Sequence, residues 1–132
     1  MKVTDCAKAI EVLGVSTQQD HNYINVAAEI MSGKWTLPVI AVLQQDTLRY
    51  STVQRAVPGI TERALTLTLQ KLERNGVVIR TSHPTIPPQV EYKLTPLGLG
   101  LLELSEMMID WAKKHATNIK RSQTAYDRSV SR

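Results

Sequence analysis

Apolar residues recur at three- to four-residue spacing along most of this chain and alternate with polar ones only in a short region past its middle. Residues 5–13, DCAKAIEVL, read as a short helix capped by Thr4 or Asp5 and ended by Gly14. Residues 15–19 read as a polar link. A second helix is expected from about Asn22 to Met31, with Ile24, Ala27, Ala28 and Met31 on one side, closed by Ser32-Gly33. A third, more apolar, runs over Trp35–Gln44 with Pro38 in its first turn, where the missing N–H costs little. The stretch Thr47–Tyr50 is extended. Ser51 caps a helix through Val57 that Pro58-Gly59 breaks, and Thr61 caps the next, which runs to about Arg74 and stops at Asn75-Gly76. Two β-favouring runs, Val77–Ile79 leading into Arg80–Ser82 and then Val90–Leu94, flank a proline-rich loop and predict a hairpin with a long tip. Thr95-Pro96 starts a last helix that reaches about His115. Residues 118–132 have few large apolar groups and read as a frayed or disordered basic tail.

This order of elements (helix, short strand, helix, tight turn, helix, hairpin) predicts a mainly helical winged helix-turn-helix fold with a small β-hairpin wing. Two helices joined by a short turn hold the second at an angle suited to the DNA major groove, with the hairpin beside it. At about 100° per residue, Leu65, Leu69 and Leu72 fall within one narrow arc flanked by Ala64 and Thr68. Arg63, Thr66, Leu67, Gln70 and Arg74 fall on the opposite arc. Arg and Gln are side chains able to make bidentate contacts to base edges. A solvated amphipathic face accounts for the same pattern with no ligand, and the helix-turn-helix context is what favours DNA.

The segment from Gly33 to Gly98 resembles the HxlR-type winged-helix family of bacterial transcriptional regulators, relatives of the MarR type. The resemblance is carried by Gly33-Lys34-Trp35, Arg49-Tyr50, Pro58-Gly59-Ile60-Thr61, the three leucines, Pro87, and Val90-Glu91-Tyr92 with Leu94-Thr95 and Gly98. It implies a dimeric, sequence-specific DNA-binding regulator whose helix from Thr61 enters the major groove and whose residues 83–89 form the wing. The N-terminus departs from the family pattern. Many members carry a cysteine shortly before the Gly-Lys-Trp element, whereas Cys6 lies well upstream, behind residues 15–23.

Composition and charge then narrow the reading. At 132 residues the chain suits one domain, expected over 1–117, with a DNA-binding part at about 33–94 and dimerisation helices at about 5–31 and 95–115. With no Phe, its core rests on Leu, Ile, Val and Ala. No run approaches the roughly 20 apolar residues of a membrane span, and first residues that carry Asp5 and no apolar h-region argue against a signal peptide. A single cysteine excludes an internal disulfide framework and a multi-Cys zinc site, and fits a cytoplasmic protein. From Gly33 to Lys93 eight bases face four acids, while residues 1–32 carry net −2 and residues 94–117 net −1. A basic middle between acidic flanks suits an anionic partner.

Arg63, Thr66 and Gln70 are the candidates for base readout, and Thr61 for a phosphate through its N–H and hydroxyl. Lys34, Arg49, Arg55, Arg74, Arg80 and Lys93 are candidates for phosphate or sugar contact, and His83, in the wing, for a phosphate or simply for solvent. Cys6, near a helix N-terminus, is either a redox- or electrophile-sensing thiol or a small buried hydrophobe. His21, His83 and His115 lie at no metal-ligand spacing, and neither a nucleophilic triad nor a phosphate-cradling glycine loop occurs, so no metal, cofactor or enzymatic activity is expected. On the last helix, Leu97, Leu101, Leu104, Met108 and Trp111 make a stripe, widened by Leu102, Met107 and Ile109, beyond what one domain face needs. The stripe predicts a homodimer on a pseudo-palindromic duplex site. Two alternatives stand beside a Cys6-responsive regulator: the same fold governed by a small-molecule effector, with Cys6 incidental, and a winged helix that only binds protein.

Overall fold

The computed structural model describes residues 17–131 except Gln45. The predicted helix over 5–13, and Cys6 within it, lie outside the described residues. The elements run α1 (Gln18–Met31), α2 (Thr36–Val42), β1 (Leu48–Arg49), α3 (Tyr50–Ala56), α4 (Glu62–Arg74), β2 (Val78–His83), β3 (Gln89–Leu94) and α5 (Pro96–Val130).

The core forms where α2, α3 and α4 meet the sheet. Val39, Ile40 and Leu43 come from α2 and its cap, Val53 and Val57 from α3 and its cap, and Leu65, Leu69 and Leu72 from α4. Val77, Val78, Tyr92 and Leu94 close the layer from the sheet side. Full burial of each α4 leucine contributes about 1.5–3 kcal/mol, so this stripe fixes which face of α4 looks inward. The sheet is antiparallel in the order β1-β3-β2. Val78 faces Leu94 at the root of the hairpin and His83 faces Gln89 at its far end, while Leu48 faces Tyr92 across the short β1 pairing. The chain between His83 and Gln89 is the wing tip, with Ile86 fully exposed.

Local chemistry sets the boundaries, and some differ from expectation. Helix α1 starts at Gln18 rather than Asn22, because Thr17 and Asp20 form a capping box. The Thr17 hydroxyl accepts from the Asp20 amide at 3.1 Å, and the Asp20 carboxylate accepts from the Thr17 amide at 3.0 Å. Helix α2 is shorter than the expected Trp35–Gln44. Helix α3 begins at Tyr50 directly after β1, with extended Arg49 as its N-cap, so Ser51 sits inside the helix and does not cap it. The expected caps of α4 and α5 are present: Thr61 accepts from Ala64 N, and Thr95 from Gly98 N, both at 3.1 Å. After α4 the chain turns at Gly76, whose φ of 76° suits glycine.

The largest difference is at the C-terminus. The expected disordered tail over 118–132 is replaced by helix as far as Val130, making α5 a single 35-residue element. No Gly or Pro follows Gly100, and Ala, Lys, Arg and Gln are good helix formers, so nothing in this stretch stops the ladder. Only Gly98 and Ser105 of α5 are buried, and no residue of α1 is.

Candidate nucleic-acid interface

Helix α4 is the second helix of the helix-turn-helix, and residues of other elements hold both its ends. At its start, Tyr50 Oη donates to the Glu62 carbonyl at 2.9 Å and lies 2.8 Å from Thr66 Oγ1. At its end, Lys71 Nζ donates to the Ser32 carbonyl at 2.6 Å and to Thr36 Oγ1 at 2.9 Å. Ser32 caps α1 and the buried Thr36 opens α2, so this amine joins three helices. Desolvation lowers the pKa of Lys71 below the ordinary 10.5, and Glu29 partly counters the shift. Neither Tyr50 nor Lys71 is a candidate from helical periodicity. Both bonds span many residues in sequence, and only the tertiary fold reveals them.

The outward arc of α4 carries the predicted side chains, in different states. Arg63 and Gln70 are exposed and, among the described residues, make no hydrogen bond or ion pair within the chain. Leu67, also on this face, is 54% exposed. Thr66 is half-buried with its hydroxyl engaged by Tyr50, so it is less available to a ligand than its position on the helix implies. Arg74 lies 3.9 Å from Glu29, both largely in solvent, a geometry worth little. Thr61 Oγ1 accepts the cap bond from Ala64 N, which leaves its hydroxyl proton free to donate.

The hairpin supplies a second group. Arg80 reaches Ser82 Oγ at 3.0 Å, and Lys93 is exposed on β3. His83 is turned toward Glu91, Nε2 to carboxylate 3.2 Å, and Nε2 itself is shielded from solvent. That nitrogen is thus not the open phosphate contact its place in the wing suggested. Arg80 and Gln70 share one cleft of about 460 Å³ between α4 and the sheet, lined also by Tyr50, Thr66, Glu73, Val90 and Tyr92. The remaining bases stand apart from the cleft. Arg49 is exposed at the β1–α3 junction, Arg55 approaches Thr52 on α3, and Lys34 lies over the Trp35 ring at 4.8 Å in the α1–α2 turn. Among the described residues no group of three His, Cys, Asp or Glu is arranged to hold a metal ion, and no helix is long and apolar enough to cross a membrane.

This geometry has close counterparts. An HTH-type transcriptional regulator of Methanothermobacter thermautotrophicus is 35% identical over 99 residues, covering 75% of this chain and 76% of its own. The structure of a MarR-family transcriptional regulator from Enterococcus faecalis V583 superposes with a TM-score of 0.64 at 37% identity, over 80% of this chain and 94% of the other. The redox regulator HypR in its reduced form gives 0.68 at 30% identity, over 74% and 97%. The family model of the HxlR-like helix-turn-helix matches residues 30–120, from the end of α1 through most of α5. The chain is a winged helix-turn-helix transcriptional regulator and belongs to the HxlR-like family.

Proposed function

We propose that the protein is a cytoplasmic, homodimeric regulator that binds duplex DNA sequence-selectively, with α4 in the major groove and the β2–β3 hairpin against the backbone. The observation that carries this reading is an outward α4 face bearing the unengaged Arg63 and Gln70 beside a hairpin whose Arg80 shares a cleft with Gln70. Arg63 and Gln70 read base edges. Thr66 contributes through position and its methyl rather than a free hydroxyl. Thr61 supports a phosphate by its backbone N–H and its hydroxyl, while Lys34, Arg49, Arg55, Arg74, Arg80 and Lys93 supply phosphate or sugar contacts.

The dimer reading rests on what α1 and α5 leave uncovered. Leu104, Met107 and Trp111 are 56%, 70% and 60% exposed, and with Met31, Leu37 and Met108 they border an apolar hollow of about 630 Å³. So much uncovered apolar surface on two helices is what a two-fold interface buries. It would set the two α4 helices on half-sites about one DNA turn apart.

Anisotropy of labelled duplex, with DNA selected from a random pool, measured at several salt concentrations for wild type and Arg63→Ala, tests the reading. The expected result is steeply salt-dependent binding, weakened by about 1–3 kcal/mol in the variant with relaxed base preference. Sequence-indifferent binding that Arg63→Ala leaves unchanged defeats it and favours a protein-interaction module. Control by Cys6 oxidation draws support from the likeness to HypR. It predicts that diamide weakens DNA binding in the wild type and leaves Cys6→Ser unaffected. A second reading of control has its own observation, an apolar groove of about 370 Å³ between α1 and α5 bordered by Tyr23, Ile30, Val77, Leu97 and Leu101. An effector seated there would raise the melting temperature saturably.

A further inference from the structure

We infer that Tyr50 is a positioning residue for DNA recognition: through its hydroxyl it sets the orientation of the first turns of α4, and so the sequence selectivity of the protein. This inference rests on the DNA reading above and adds a residue that touches no base.

A phenol has one proton, and the two partners of Tyr50 decide where it goes. The Glu62 carbonyl, 2.9 Å away, can only accept, so the Tyr50 proton points there. The contact to Thr66 Oγ1 at 2.8 Å must then run the other way, with the Thr66 hydroxyl donating to Tyr50 Oη. The chain of donors is thus directional, Thr66 to Tyr50 to Glu62, and it joins two successive turns of α4 to the first residue of α3. Thr66 is fixed in one rotamer, and Glu62 in the first turn is tied to a side chain anchored behind β1.

The place of the lock gives it consequence. Tyr50 and Thr66 line the cleft between α4 and the hairpin, and Gln70 and Arg80 stand on the same walls. Thr66 lies one turn from Gln70 and three residues from Arg63, the two unengaged polar side chains of the outward face. The leucine stripe of α4 resists lifting the helix off the core but resists rotation and sliding only weakly, because aliphatic packing is not directional. Hydrogen bonds are directional, and a small misplacement of a bidentate side chain costs its fit to a base edge. Tyr50 supplies the directional constraint at the reading end.

The test uses the full-length protein and two duplexes, one selected from a random pool by the wild type and one a scramble of it. Kd for each is measured for wild type, Tyr50→Phe, Thr66→Val and the double variant. Tyr50→Phe removes one oxygen and keeps the ring. Its affinity for the selected duplex should fall about three- to tenfold, the span of one net hydrogen bond. Affinity for the scramble and its salt slope should stay as in wild type. The ratio of the two affinities is the decisive readout, since a residue that only holds the fold together lowers Tm and leaves that ratio alone. If both residues act through one bond, the double variant loses no more selectivity than the worse single variant. A Tyr50→Phe ratio within twofold of wild type, or fully additive losses in the double variant, overturns the inference while the DNA reading stands. A wild type that binds both duplexes alike overturns the DNA reading, and this inference with it.

Discussion

Two glycines of α5, two residues apart, should respond to alanine in opposite directions. Gly98 is buried where the first turn of α5 crosses the root of the hairpin. A Cβ there would land inside the van der Waals surface of the Val77 carbonyl oxygen and 3.0 Å from Leu94 Cδ2. The Val77 oxygen cannot simply move away, because it accepts from Thr95 N at 3.0 Å and, at 3.1 Å, shares the Thr95 hydroxyl proton with the Gly76 carbonyl at 2.6 Å. Overpacking costs about 1–3 kcal/mol, and straining one of those hydrogen bonds about 0.5–1.5 kcal/mol more. The helix propensity of alanine returns at most about 1 kcal/mol. The balance for Gly98→Ala is a loss of about 2 kcal/mol, or roughly 6–12 °C in Tm. At Gly100 a Cβ would meet nothing within 4 Å, so Gly100→Ala should gain about 0.5–1 kcal/mol. Urea unfolding followed by circular dichroism, at one fixed protein concentration, measures both. A Gly98→Ala protein as stable as wild type would show that α5 is not pinned against Val77, and the packing argument would fail.

Two further outcomes follow from other contacts. Lys71 has a folded-state pKa lowered chiefly by desolvation, so between that value and 10.5 the unfolded chain binds more protons than the folded one. The stability of wild type relative to Lys71→Met should therefore rise as pH increases through that interval, and a gap that stays flat or narrows in urea unfolding across alkaline pH would contradict the assignment. Leu104→Glu puts a charge on an exposed position between the two apolar hollows flanking α5. It should shift sedimentation from dimer to monomer with the helical circular dichroism spectrum kept, and an unchanged dimer would mean that the two copies meet elsewhere.

What the sequence made legible depended on how local each cause is. The inward stripe of α4 was readable because Leu65, Leu69 and Leu72 repeat at helical spacing, and the caps at Thr61 and Thr95 because a threonine precedes each helix. The start of α3 was misread because Ser51 looks like a cap, while the extended residue feeding the helix is Arg49, fixed by strand pairing opposite Glu91. The long C-terminal half of α5 is not legible, because scarce apolar residues suggest no core to pack on. Helix there needs only good formers and no breaker, and a core is not a condition for it.

The outward face of α4 was legible as a set of positions and not in the availability of its side chains. Periodicity puts Arg63, Thr66, Gln70 and Arg74 on one arc and treats them as equals. The fold separates them, since Tyr50, sixteen residues before Thr66, engages its hydroxyl, while Arg63 and Gln70 stay unengaged. It also adds Lys71, whose acceptors lie 39 and 35 residues away and whose amine ties the end of α4 to the α1–α2 turn. Helix α4 is thus held near its start from α3 and near its end from the α1–α2 turn, by side chains that helical spacing does not single out.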